Sequence, residues 1–333
     1  MSGPGTGRDG TGGDGAGGRG TAPPGTRKAV VTGGSGFLGS HVADAFTAAG
    51  YAVTVYDLRP SPHLGPGQTM VTGDLGDVDA LAAAFAGAEV VAHFAGIADI
   101  AAANVDPIRT ANVNLVGTVN TLEAAVRAGV KRYLFASTVY VYSDMGGFYR
   151  ASKQACEAFV ETYSQERGLP FTVLRYGTLY GRRSGGTNRI HTMVNSAIRE
   201  KAISYPGSGE ALRDVIHARD AATLTVRTLA PDYANTHLLI TGQERLRVKD
   251  IARMIAEIVP GPIALEFQEG EPEGHYMLTP YSFSPRLSRK LVPTEYIDIG
   301  QGIYDCVQEA WEAAHPQEPV YLPGSGRDRD PTS

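Results

Sequence analysis

The sequence predicts an α/β fold built on a doubly wound parallel sheet, with a smaller C-terminal lobe. Three observations predict it. Short β-branched and apolar runs alternate with stretches of helical spacing from residue 28 to about residue 176, the pattern of a parallel sheet covered by helices on both faces. A glycine-rich turn, with Gly33, Gly36 and Gly39 in VVTGGSGFLGSHV, joins the first such run to the first helix. An acid, Asp57, ends the second run.

KAVVTG is a short β-branched strand that ends in glycine, and FLGSHVADAFTAAG has helical spacing and stops at Gly50, a residue suited to a helix C-cap. YAVTVYD is the second strand and TMVTGD a shorter third. DVDALAAAFAG is a helix that Asp77 is placed to cap, and AEVVAHFAG is a buried strand. A long helix covers roughly 108–128, KRYLFAST is the next strand, FYRASKQACEAFVETYSQERG the next helix and PFTVLRY the strand after it. Beyond Gly181 the rhythm breaks; THLLITG returns a strand to the sheet, VKDIARMIAEIV is a helix, and a proline-rich remainder forms the lobe. The expected organisation is a disordered Gly-rich tail over 1–27, a nucleotide-binding domain over 28–181 with returning segments near 213–242, a lobe mainly for substrate over 182–323, and a disordered tail over 324–333.

Composition narrows the function. The 333 residues carry a net charge of −5 with mixed signs, so nothing marks a nucleic-acid face. No apolar run approaches the roughly 18 residues of a membrane span. Two distant cysteines, Cys156 and Cys306, suit a reducing cytoplasm rather than a disulfide framework. The eight histidines are scattered, and no metal is expected.

The glycine spacing has a ligand-binding logic. The first glycine permits the tight turn, the second lets backbone approach a pyrophosphate, and the third lets the helix pack closely on the strand. Asp57 lies 24 residues after Gly33 (57 − 33), near the separation expected of an acid that accepts hydrogen bonds from a ribose. Such a carboxylate repels a 2′-phosphate and favours NAD over NADP, although Arg59 is the residue type that accommodates that phosphate. Asp74 follows the third strand and is placed for the adenine amino group.

Tyr149 and Lys153 stand one helical turn apart on one face. An ammonium beside a phenol favours phenolate, and so makes tyrosine usable as a base. The preceding strand ends in Ser137 and Thr138, hydroxyls that fall at the carboxyl edge of the sheet, where open α/β folds bind ligands.

Taken with these segments, the chain resembles an extended short-chain dehydrogenase/reductase of the NAD-dependent nucleotide-sugar epimerase/dehydratase family, motif by motif over roughly 28–225. TGGSGFLGSHV resembles its cofactor loop, HFAG its H-x-A-[AG] strand end, and NVNLVGTVNTLEAA its N-V-x-G-T helix. STVYVYS, YRASKQACE, LRYGTLYG and RDVIHARDAA resemble four further family segments. The resemblance implies a Rossmann-type fold, bound NAD, a nucleotide-sugar substrate (most readily a UDP-sugar) and a homodimer. It implies cofactor contacts from Gly33, Ser35, Gly36, Phe37, Leu38 and Gly39 in the loop. Others would come from Asp57, Leu58, Asp74 and Leu75 after the next strands, and from Phe94, Ala95, Gly96, Asn114, Tyr149, Lys153 and Tyr176. Tyr149 would be the base, Thr138 the hydroxyl that steadies the developing oxyanion, and Lys153 the holder of the nicotinamide ribose. Ser137, Thr138, Thr178, Asn188, Arg189 and Arg213 would meet the substrate, with Arg213 on its diphosphate.

Departures from the family pattern bear on the reaction. Only 11 residues separate Thr138 from Tyr149 (149 − 138), where many relatives carry a longer loop over the sugar. The usual strand-end Asn is Thr178, the usual Gly after V-Y is Ser143, and GHYMLTPYSFSP, with His275, Tyr276 and Tyr281, occupies a late region that differs. Family 4,6-dehydratases place an Asp–Glu pair directly after the catalytic Thr; here Val139 and Tyr140 stand there. The expectation is therefore a 4-epimerase. The alternatives are a 4,6- or 5,6-dehydratase drawing its acid from Tyr140 or Cys156, and a keto-sugar reductase. Glu157 is expected to be a helix ion-pair partner of Lys153.

Overall fold

The computed structural model describes residues 27–270, 274–278 and 289–316. The expectations for residues 1–26 and 317–333, and for Tyr281, lie outside the described residues.

Thirteen strands are described: β1 (Lys28–Thr32), β2 (Ala52–Asp57), β3 (Gln68–Thr72), β4 (Val90–His93), β5 (Arg132–Thr138), β6 (Phe171–Tyr176), β7 (Thr178–Tyr180), β8 (Ala202–Tyr205), β9 (Leu212–His217), β10 (Thr236–Ile240), β11 (Arg245–Arg247), β12 (Ala264–Phe267) and β13 (Arg289–Leu291). The helices are α1 (Phe37–Ala48), α2 (Val78–Phe85), α3 (Ile100–Val105), α4 (Pro107–Thr110), α5 (Gly117–Arg127), α6 (Gly147–Arg167), α7 (Arg189–Glu200), α8 (Ala218–Arg227), α9 (Val248–Ile258) and α10 (Ile299–Ala314). Eight strands form one parallel sheet in the order β13-β10-β6-β5-β4-β1-β2-β3. The sheet is mostly apolar along its central strands because both faces are covered. On one face Val31, Val55, Leu134 and Leu174 pack with Phe46 of α1 and Leu224 of α8. On the other, Val30, Val91, Phe135 and Val173 pack with Leu81, Leu122 and Val160 of α2, α5 and α6.

The chain adds β2 and β3 to one side of β1, then crosses to add β4, β5 and β6 to the other. That reversal opens a crevice at the carboxyl ends of β1 and β4, the place where such sheets take ligands. The elements after β7 build a separate apolar cluster in which Ile190 and Met193 of α7, Ile251 and Ile255 of α9 and Ile303 of α10 meet. Two small sheets, β11-β9-β7 and β12-β8, edge it.

Two details differ from the sequence reading. The expected helix over 108–128 is α4, a π-helical stretch over Ala111–Val116 and α5. Asp106 caps its start and Pro107 occupies its first turn. The π-helical stretch carries Asn114, which bonds the backbone of Ile97 and the hydroxyl of Ser152 at the floor of the crevice. The three-residue strand β7 has no strand pattern of its own; it forms because β9 returns beside it. Asp77, by contrast, caps α2 through the amide of Ala80, as its position predicts.

Candidate active site

Two clefts open at the carboxyl edge of the sheet. The first, of about 500 Å³, is walled by Gly33, Gly36, Asp57, Leu58, Asp74, Leu75, Phe94, Ala95 and Gly96, all expected from sequence. Its backbone cannot be built with side chains. Gly33 sits at φ +72°, and a Cβ there would meet the Ala95 amide nitrogen at 2.4 Å. A Cβ on Gly39 would lie 2.2 Å from the Gly33 carbonyl oxygen, which is how closely α1 packs on the turn. Helix α1 has no side-chain cap at Gly36, so the amides of Phe37 and Leu38 in its first turn present partial positive charge to an anion. The Asp57 carboxylate accepts the amides of Ser35 (3.0 Å) and Arg59 (3.2 Å), which fixes its orientation and leaves lone pairs over. Asp74 accepts the Gly76 amide at 2.7 Å. The cradle, the uncapped helix end and the oriented acid fit a dinucleotide.

Sequence reasoning missed the opposite wall: Arg109, Asn112, Val113, Val116, Gly117 and Asn120. Their spacing of three and four marks one helical face, but the face mixes charge, amide and apolar side chains and so gives no hydrophobic signal.

The second cleft, of about 490 Å³, joins Thr138, Tyr140 and Tyr149 to Thr178, Asn188, Arg189, Arg213 and His275. Thr138 ends β5 and Tyr149 lies in the first turn of α6. Burial pushes the Tyr149 phenol up to about 12, and its hydrogen bond with Thr138 opposes that rise. The expected lowering by Lys153 is not what prevails: burial sets the direction. Lys153 is buried, donates to the Ala136 carbonyl at 2.8 Å and lies 4.8 Å from the centroid of the Phe135 ring. Burial lowers its pKa, while the charges of Cys156 and Glu157 work the other way. Beneath it, His93 is held between Thr32 (2.6 Å) and Thr118 (3.1 Å). Burial, with the Lys153 charge, pushes its pKa down to about 3, so the imidazole is neutral.

Glu157 corrects the expected pairing with Lys153. It bonds Arg175 on β6 through two oxygens, at 2.9 and 2.6 Å, and accepts the Ser137 hydroxyl, with both charged side chains 0% exposed. The pairing wins because Arg175 has no route to water. Ser137 therefore turns its hydroxyl into the protein, away from both clefts, and Tyr176 does likewise toward Thr225 (2.6 Å). Cys156 is fully buried and bonds the Asn114 carbonyl, outside the pocket.

Asn188 caps α7 through the amide of His191 and donates to the Leu179 carbonyl; Arg189 lies 5.5 Å over the Tyr205 ring. Arg213 is held by the carbonyls of Tyr276 (2.7 Å) and Leu212 (3.0 Å), while Asp214 pairs with Arg245 and Glu210 with Lys249 and Arg247. The short loop before Tyr149 is covered by residues 274–278. The Gly146 amide donates to the Gly274 carbonyl at 3.1 Å, and the Leu212 amide to that of Met277 at 2.8 Å. Gly146 is at φ +97°, and a Cβ there would meet the Tyr140 ring at 2.8 Å.

Among the described residues no group of three His, Cys, Asp or Glu side chains is placed to hold a metal ion, and no helix is long and apolar enough to cross a membrane.

The chain is similar in sequence and fold to known proteins. A UDP-glucose 4-epimerase of Rhizobium meliloti is 26% identical, covering 72% of this chain and 84% of its own. A dTDP-glucose 4,6-dehydratase of an Actinoplanes species is also 26% identical, covering 86% and 98%. The Thermus thermophilus UDP-glucose 4-epimerase, solved with NAD, superposes with a TM-score of 0.73 at 24% identity, covering 86% of this chain and 99% of that one. Residues 29–240 match the model of the NAD dependent epimerase/dehydratase family. The chain belongs to that family of NAD-dependent enzymes.

Proposed function

We propose that this enzyme is a nucleotide-sugar 4-epimerase, acting most readily on a UDP-sugar by transient oxidation at C4, rotation of the keto sugar and hydride return. The observation that carries the reading is the pair of residues next to Thr138. Val139 is buried in the core, and Tyr140 faces the pocket with a phenol rather than a carboxyl. Among the described lining residues the acid is Asp99, whose carboxylate caps α3 through the amide of Ala102. A dehydratase needs an acid and a base for the loss of water; a 4-epimerase needs only a group that takes and returns the hydroxyl proton.

Bound NAD supplies a reversible hydride acceptor beside C4. The first-turn amides of Phe37 and Leu38 would hold its pyrophosphate, Asp57 a ribose, Asp74 and Leu75 the adenine end, and Lys153 the nicotinamide ribose. Tyr149 takes the proton of the 4-hydroxyl, and Thr138 hydrogen-bonds the same oxygen as charge develops on it. After the sugar has turned and C4 has regained its hydride on the other face, Tyr149 returns the proton to the 4-oxygen. Arg213 and Arg189 supply positive charge for the diphosphate.

Epimerisation leaves substrate mass unchanged and dehydration removes one water. Mass spectrometry of UDP-glucose incubated with the enzyme, coupled to separation of epimers, is expected to show a second isomer of equal mass. A product lighter by water contradicts the reading.

Two substitutions probe the roles given to Asp57 and Thr138. Asp57→Ala is expected to weaken NAD binding about 10-fold or more and to narrow its advantage over NADP, measured by equilibrium titration, because charge-assisted hydrogen bonds are lost and repulsion of the 2′-phosphate is relieved. Unchanged preference removes Asp57 from the site. Thr138→Val removes the hydrogen bond that lowers the Tyr149 pKa. Since the deprotonated base is active, kcat/KM rises with pH through its apparent pKa, and this limb is expected to move to higher pH as the rate falls about 100-fold at neutrality. A limb that stays in place contradicts the Thr138–Tyr149 coupling.

A further inference from the structure

Tyr140 lies on the 3₁₀ turn Val139–Tyr142 that leads directly out of Thr138. Its ring centroid is 6.4 Å from that of Tyr149 and nearly perpendicular to it. It lines the same pocket as Thr138 and Tyr149. Its hydroxyl bonds His275 Nδ1 at 2.7 Å, across 135 residues of sequence, and its ring packs against Tyr276 at 4.8 Å. Proton transfer between Tyr149 and the 4-hydroxyl uses neither Tyr140 nor His275.

We propose that Tyr140 is a specificity-determining residue that reads a hydroxyl of a substituent on a carbon flanking the sugar's C4, either the 3-hydroxyl or that of the hydroxymethyl group on C5, and that His275 is the positioning residue that aims it. The inference rests on the nucleotide-sugar reading of the pocket. If Tyr149 and Thr138 take the 4-hydroxyl, the groups brought beside Tyr140 are those on the neighbouring carbons, the 3-hydroxyl or the exocyclic hydroxymethyl. A phenol has one donor and two acceptor positions. Where it donates to His275, its oxygen remains an acceptor; where it accepts from His275, its O–H remains a donor. A sugar hydroxyl complements both arrangements, and a bare C–H complements neither. The phenol is also kept uncharged, because burial and the neighbouring Tyr276 raise its pKa against the charge of Arg213.

The size of the effect comes from the same bond. A site that leaves a buried polar group wholly unpaired rejects a deoxy analogue by 10⁴ or more, whereas Tyr140 keeps His275 when the sugar hydroxyl is missing, so the expected discrimination is about 10- to 100-fold.

The test is calorimetric titration of the NAD-loaded enzyme with UDP-glucose, UDP-3-deoxyglucose and UDP-xylose, the last lacking the hydroxymethyl group. Wild type is expected to bind one of the two analogues about 10- to 100-fold more weakly than UDP-glucose, and the affected analogue identifies which hydroxyl is read. Tyr140→Phe is expected to bind UDP-glucose as weakly as that analogue and no longer to separate the two. His275→Asn, which keeps an acceptor near the Nδ1 position, retains the discrimination; His275→Leu loses it with NAD binding intact. Equal binding of all three sugars by wild type, or a penalty that survives in Tyr140→Phe, overturns the inference. Because binding rather than turnover is read, an enzyme that discriminates these sugars without epimerising them removes the 4-epimerase reading and leaves Tyr140 in its role. Failure to bind UDP-glucose at all overturns both.

Discussion

Tyr149→Phe is expected to lower turnover roughly 10³-fold while leaving NAD binding within about twofold of wild type. The substitution keeps the ring in the first turn of α6 and removes only the hydroxyl that bonds Thr138. Packing against the Tyr140 ring is preserved, and the glycine cradle and Asp57 lie in the other cleft. Loss of the one proton-transfer group should therefore appear in kcat and spare cofactor affinity. The rising alkaline limb of the pH profile should vanish as well, because the titrating phenol is gone. Turnover above about a tenth of wild type would show that another group is the base.

The second large effect concerns stability. Glu157→Leu leaves the Arg175 guanidinium charged, with its side chain 0% exposed, and is expected to cost about 3–5 kcal/mol. For a chain of this size that lowers Tm by about 5–8 °C. Replacing both partners, Glu157→Leu with Arg175→Met, should recover most of the loss, since two desolvated charges are exchanged for apolar contact. Burial tends to raise the Glu157 pKa, but the bonds from Arg175 and Ser137 prevail and hold it below the ordinary carboxylate value. Its contribution to stability is therefore present above the unfolded carboxylate pKa and is lost as pH falls through the lower folded value. The pair also ties β6 to α6 and, through Ser137, to the end of β5. The single variant should thus misplace Thr138 and lose activity before it unfolds. A thermal scan of both variants tests this; a single variant within about 2 °C of wild type contradicts it.

The parts of this enzyme that sequence makes legible are those where local chemistry leaves few options. Gly33 is demanded by its positive φ in the turn and Gly39 by a backbone contact within that turn, while Asp57 stands out by its place at the end of a strand. Tyr149 and Lys153 share a helix face whatever surrounds them. The parts that sequence hides depend on segments far apart in the chain. Glu157 has the spacing of a helix partner for Lys153, because a separation of four residues is visible in sequence and the approach of Arg175 on β6 is not. Ser137 and Thr138 are neighbours on a strand, so their side chains point to opposite faces, and only one of them can reach the pocket. The cover over the short loop comes from residues 274–278, an irregular stretch with no periodicity to announce it. Arg109 and Asn120 line the first cleft from a helix face that a hydrophobic pattern does not reveal.

The central claim is tested most directly by proton NMR of the enzyme with nucleotide sugars in D₂O, beginning with UDP-glucose. A 4-epimerase returns to C4 the same hydrogen it removed, so the expected result is a new C4 epimer with no deuterium on carbon. A keto or alkene signal, with solvent deuterium at C5 or C6, would contradict the account and turn attention to Tyr140 as the acid.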